Sequence, residues 1–140
     1  RKFHEAKLSG KGTATIWGSG EPFREFLHVD DLAGASLFLM NLPQEQYQQL
    51  VTSHEAPALI NIGTGEEVSI RELALLIKKV VGVTGDFIFD TSKPDGTPRK
   101  LCDVTRIHAL GWRHRIGLAE GLKETYRWYV ENIIGLLRMK

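Results

Sequence analysis

Lys93, Arg99 and Lys100 stand within the eight residues KPDGTPRK (93–100), together with two prolines, one glycine and Asp95, and no apolar side chain lies among them. The prolines and the glycine argue against a regular helix or strand, so the positive charge is concentrated on a stiffened loop. Arg24 follows directly on the turn GSGEPF (18–23), and Trp17 stands just ahead of it. A guanidinium can grip two phosphate oxygens at once, and an ammonium binds them as a point charge. These residues suggest capture of a phosphate or diphosphate, with the indole as a wall for a sugar or base. From spacing alone, a solvated basic loop and a core tryptophan explain the same pattern.

Other chemistry does not assemble. The pairs Gly18/Gly20 and Gly63/Gly65 begin a dinucleotide fingerprint, but the third glycine position holds Phe23 or Val68, and both read as plain turns. No P-loop occurs, and the histidines at 4, 28, 54, 108 and 114 are too scattered for a zinc site, so no metal is expected. The short-chain hydride-transfer pattern Tyr-x-x-x-Lys is absent, since Val51, Val130 and Ile133 stand four residues after the three tyrosines. His4 reads as part of a solvated helix face, and Asp30 and Asp31 read as helix caps rather than an acid pair.

The 140 residues, 42% of them hydrophobic, suit one globular domain of ordinary size. Eighteen Lys and Arg against seventeen Asp and Glu give a formal charge of +1, so attraction to anions must come from local clusters. No aromatic residue interleaves with the charges of 93–100, which argues against nucleic acid. No apolar run reaches the ~18 residues of a membrane span. One cysteine, Cys102, excludes an internal disulfide framework and fits a cytoplasmic protein. The chain opens RKFHEA, as though inside an amphipathic helix, and is read as part of a longer polypeptide.

The elements expected to position the basic residues are mixed. Residues 1–9 read as the end of a helix, 13–17 as a strand, 18–22 as a turn and 24–29 as a second short strand. A helix over 32–40, capped by Asp30 and Asp31 and buried on most sides, leads to a connecting loop over 41–57 with at most one helical turn. The apolar run ALINIG (58–63) predicts a strand buried on both faces. Ser69 and Glu72 form a capping box for a helix that Gly82 stops. A strand over 86–90, the basic loop, a short helix over 104–111 and a final amphipathic helix carrying Leu118, Leu122, Tyr126 and Tyr129 complete an α/β order.

Three longer stretches carry a resemblance. WGSGEPFREFLHVDDLAGA (17–35), INIGTGEEVSIRELA (60–74) and FDTSKPDGTPRKLCDVTRIHALGW (89–112) together resemble the C-terminal portion of the GDP-L-fucose synthase family, within the extended short-chain dehydrogenase/reductase superfamily. REFLHVDD and NIGTG are shared loosely across nucleotide-sugar epimerases and dehydratases, whereas KPDGTPRK followed by LCD is the specific signal.

The resemblance implies an α/β fold in which residues 1–140 are a C-terminal sugar-nucleotide-binding domain, with 58–82 packed on the sheet of a preceding Rossmann domain. It implies that this domain, upstream of Arg1, holds NADPH and the catalytic residues, leaving none here. Lys2, Trp17, Arg24, Asp95 and Lys100 match the family's substrate contacts. The implied reaction of the whole enzyme converts GDP-4-keto-6-deoxy-D-mannose to GDP-L-fucose in a cytoplasmic homodimer; the piece alone is expected to be inactive. The competing readings are another nucleotide-sugar epimerase, dehydratase or reductase, and a non-catalytic module that binds a sugar nucleotide.

Overall fold

A computed structural model of the chain describes residues 1–10, 13–52 and 58–134. The order is α1 (Lys2–Ser9), β1 (Ala14–Trp17), β2 (Phe23–Arg24), α2 (Val29–Met40), α3 (Gln44–Thr52), β3 (Val68–Ser69), α4 (Ile70–Val81), β4 (Phe87–Asp90), β5 (Arg99–Lys100), α5 (Thr105–Ala109) and α6 (Leu118–Trp128), which runs on as a π-helical turn, Tyr129–Ile134. The chain is α/β and divides into two compact units. One holds residues 1–24, 67–100 and 118–140, and the other holds 25–66 and 101–117.

In the first unit β1 and β4 pair in parallel, Ala14 opposite Phe87 and Trp17 opposite Asp90. Alternation sends Ala14 and Ile16 to one face, where Phe3, Ala6, Ala74, Val81, Val83 and Phe87 close a core beneath α1 and α4. A second small sheet has β2 at its centre, antiparallel to β3 and parallel to β5. The capping box opens α4 as expected: the Ser69 hydroxyl accepts from Glu72 N–H at 3.1 Å, and the Glu72 carboxylate accepts from Ser69 N–H at 2.9 Å. The next amides of α4, which have no helical partner, donate to the 18–22 turn: Ile70 N–H to the Pro22 carbonyl and Arg71 N–H to that of Gly20. The helix therefore holds the turn by main-chain bonds.

His4 departs from its expected place on a solvated face. It is buried, its Nδ1 lies 3.0 Å from the Tyr126 hydroxyl, and its ring meets Tyr126 and Tyr129 edge-on. The partners come from α6 and the turn after it, more than a hundred residues away, so local sequence carried no sign of them.

The second unit is built on Ala35, Val104 and Ile107, with Leu39, Ile60, Ile62 and Trp112 packed around them. Several expectations change here. The strand expected over 24–29 stops at Arg24, and residues 25–28 are irregular because His28 already caps α2, its Nδ1 accepting from Asp30 N–H at 3.3 Å. Asp31 is no cap: it is buried and accepts from Arg115 N–H at 3.0 Å and Ile116 N–H at 2.9 Å, fastening the 115–116 segment to α2. Helix α2 buries only Asp31 and Ala35, leaving Val29, Leu32, Leu37 and Met40 exposed.

The loop expected over 41–57 contains a nine-residue helix, α3. Pro43 stands just before it, a place where the missing N–H costs nothing; residues 53–57 lie outside the described residues. The run 58–63 forms no strand. Its apolar residues are exposed or half-buried and no described strand pairs with it, so the pattern is present without a ladder to join. No helix among the described residues is long and apolar enough to cross a membrane.

Candidate functional site

All five residues singled out by sequence lie in the first unit. Trp17 ends β1 with 65% of its surface exposed, and its ring is flanked by two ammonium groups, Lys2 Nζ at 5.1 Å and Lys93 Nζ at 5.8 Å from the centroid. Lys2 is fixed there by a 2.9 Å bond to the Thr15 carbonyl. The indole is thus an exposed, cation-flanked surface and not part of the core.

The turn after Trp17 is compact because Gly18 and Gly20 both take φ of 86°, a left-handed conformation that other residues adopt at a cost. Ser19 between them is held by Asp95: its N–H donates to Oδ1 at 2.8 Å and its hydroxyl to Oδ2 at 2.6 Å. A side chain on Gly18 would collide with the same carboxylate. The Ser19 hydroxyl and N–H, then the Arg24 charge, hold the Asp95 carboxyl below the usual range.

Arg24 and Lys100 are register partners on the parallel strands β2 and β5. Strand spacing puts their backbones about 5 Å apart, so two cations emerge side by side. The Arg24 guanidinium donates to the Phe23 carbonyl at 2.6 Å and lies beside Gly96. The last two residues of the basic stretch therefore form a strand, contrary to the expectation of an unbroken loop, because β2 offers them a partner. Arg99 is not free for an anion. Its Nε donates to Glu67 at 2.7 Å, and that carboxylate makes the guanidinium hold its proton still more tightly. Of the other cations, Lys2 and Lys93 flank the Trp17 ring, and Arg24 and Lys100 are paired by strand register.

Sequence reasoning passed over Ser19 and Arg71. The Arg71 guanidinium donates to the Ser19 carbonyl at 2.9 Å, lies over the Phe89 ring at 4.5 Å and faces Glu21 at 3.6 Å. On a helix with an apolar stripe, a cation off that stripe reads as solvated surface, so the pattern gave no signal.

In the second unit Glu25 gathers a loop. One oxygen accepts from Gly65 N–H at 2.7 Å and from Thr64 N–H, the other from Cys102 N–H at 2.8 Å. Burial pushes this carboxyl up, but the backbone donors Cys102, Gly65 and Thr64 outweigh it and leave it below its ordinary value. Burial and the Glu25 charge push the Cys102 thiol up, the reverse of an activated nucleophile. A cleft of about 650 Å³ in this unit is walled by Leu37, Phe38, Leu42 and Trp112, and its charged lining is Asp30, Asp31 and Arg115.

Neither glycine pair is a cradle for a dinucleotide. The space above Gly18 and Gly20 is filled by Asp95 and Phe89, and that above Gly63 and Gly65 by Glu25, Cys102 and Val104. The described residues do not fit a nicotinamide cofactor by this route.

Comparison with known proteins agrees with the motifs. The NAD dependent epimerase/dehydratase family matches residues 1–63. A probable GDP-L-fucose synthase 1 of Oryza sativa subsp. japonica is 53% identical over 134 residues, 96% of this chain and 38% of the relative. A GDP-L-fucose synthase of Escherichia coli (strain K12) is 54% identical over 135 residues, 94% of this chain and 40% of the relative. Among solved structures, a GDP-mannoheptose C4 reductase from Campylobacter jejuni with NADP bound superposes with a TM-score of 0.77 at 40% identity, covering 93% of this chain and 42% of that one. The chain spans about two fifths of the length of the relatives it matches. These likenesses bear out the resemblance to the GDP-L-fucose synthases.

Proposed function

We propose that this chain is the C-terminal, sugar-nucleotide-binding portion of an NADPH-dependent epimerase/reductase that converts GDP-4-keto-6-deoxy-D-mannose to GDP-L-fucose. The observation that carries the reading is the Arg24–Lys100 pair on adjacent strands, in the same unit as an exposed Trp17 flanked by Lys2 and Lys93. Adjacent like charges on paired strands repel, and a bridging dianion relieves that repulsion. A GDP-sugar supplies such a dianion together with rings for the indole.

In this reading Arg24 and Lys100 grip the diphosphate, Lys2 and Trp17 wall the pocket, and Asp95 accepts a hydrogen bond from the ribose or the base with the lone pairs that Ser19 leaves free. Grip on the remote diphosphate keeps the sugar ring in place while protons are exchanged and the ketone is reduced. NADPH belongs, on this proposal, to a Rossmann domain outside the segment, on whose sheet residues 58–82 would pack; the same reading makes the whole protein a cytoplasmic homodimer. The likeness to a GDP-mannoheptose reductase favours a second reading, reduction of another GDP-sugar, and the product formed from each keto-sugar separates the two.

Steady-state kinetics of the full-length enzyme test the clamp. Arg24→Ala and Lys100→Ala should each raise KM by a factor corresponding to about 1.5–3 kcal/mol, the size of a charged hydrogen bond. An unchanged KM in both variants would refute it.

A further inference from the structure

We infer that Arg71 is a positioning residue for the nucleotide site, acting through Ser19. The inference rests on the sugar-nucleotide reading above. Ser19 spends every polar group on a bracket: its N–H and hydroxyl go to Asp95, and its carbonyl takes the Arg71 guanidinium. The two arms come from different elements, Asp95 from the loop between β4 and β5 and Arg71 from the first turn of α4.

Arg71 is itself fixed in three ways, by its own N–H on the Gly20 carbonyl at 2.9 Å, by its cation–π contact with Phe89 and by Glu21. Phe89 in turn closes against Gly20, where an added Cβ would stand 2.5 Å from the ring. The bracketed turn joins Trp17 at one end to β2, and so to Arg24, at the other. A guanidinium suits this place because it can stack and donate together, which an ammonium cannot. The exposure of the Arg71 side chain, 51%, means that burial does not force these contacts.

The test uses the full-length protein that carries this segment, grown with 5-fluorotryptophan, with the Trp17 fluorine resonance assigned by its loss in Trp17→Phe. Arg71→Gln should shift or broaden the Trp17 resonance, leave that of Trp112 in the other unit unmoved, and weaken GDP binding by calorimetry about tenfold. Arg71→Lys, which keeps the charge but loses the guanidinium over Phe89, should show the same changes to a smaller degree, and it serves if Arg71→Gln does not fold. An unmoved Trp17 resonance together with unchanged GDP affinity in the folded variants overturns the inference. If the unsubstituted protein fails to bind GDP, the sugar-nucleotide reading falls instead, and the Trp17 resonance alone decides whether Arg71 sets the turn.

Discussion

Gly96 takes no left-handed conformation, so its missing side chain serves a neighbour rather than a turn. A Cβ there would lie 3.1 Å from Arg24 Nη2, closer than ordinary contact allows. The guanidinium is the mobile partner and would swing away. On the proposed sugar-nucleotide reading, Gly96→Ala should therefore weaken GDP binding several-fold while changing stability by no more than about 0.5 kcal/mol, as for other exposed positions; calorimetry and a thermal melt check the two halves. At this scale the sequence was legible where a side chain had no structural reason to be present. Lys93 and Lys100 on a proline-stiffened stretch and an indole beside a turn stand out because nothing local needs them, whereas Arg99 between them is taken up by Glu67. Arg71 and His4 did not stand out, since each owes its role to partners far along the chain: Ser19 and Phe89 for one, Tyr126 for the other.

Helix α4 was the most legible element, because its start and stop are written in adjacent residues. Ser69→Ala removes one side of the capping box and should cost about 1 kcal/mol in chemical denaturation. The run 58–63 was misread for the opposite reason. A strand requires a partner, and an apolar pattern says nothing about whether one is present. Helix α3 was missed because Pro43 and a polar composition suggest a loop, although proline is well placed just ahead of a helix. Glu25 belongs to this scale too, since one carboxylate stands in for secondary structure by collecting the amides of 64, 65 and 102. Its folded pKa lies below its unfolded one, so its contribution is complete above the ordinary Glu value of about 4.3 and is lost as pH falls through the lower folded value. Glu25→Gln should lose about 1–2 kcal/mol at pH 7, a figure that allows for partial exposure. The gap from the unsubstituted chain should close as acid neutralises Glu25, which urea titrations at descending pH would follow.

The described residues carry little core for their number. Among the described residues Ile107 is the only large side chain fully buried, and each unit rests on a handful of small or half-buried apolar groups. Meanwhile Val29, Leu32, Leu37 and Met40 on α2 and Leu59 beside the unpaired 58–63 run lie open to water in the second unit. Exposed apolar side chains clustered on one helix mark a candidate place of contact, and a net charge of only +1 gives weak protection against association. The 140-residue chain by itself should therefore self-associate, and size-exclusion chromatography with light scattering should return a mass above that of one chain, rising with loading. Leu37→Lys with Met40→Lys breaks the α2 surface at two exposed positions where no core packing is lost. If that surface drives the contact, the double variant should move toward the single-chain mass while its far-ultraviolet circular dichroism stays unchanged. A sharp single-chain peak from the unsubstituted protein at all concentrations would mean that the two small cores suffice, and that α2 tolerates water as it stands.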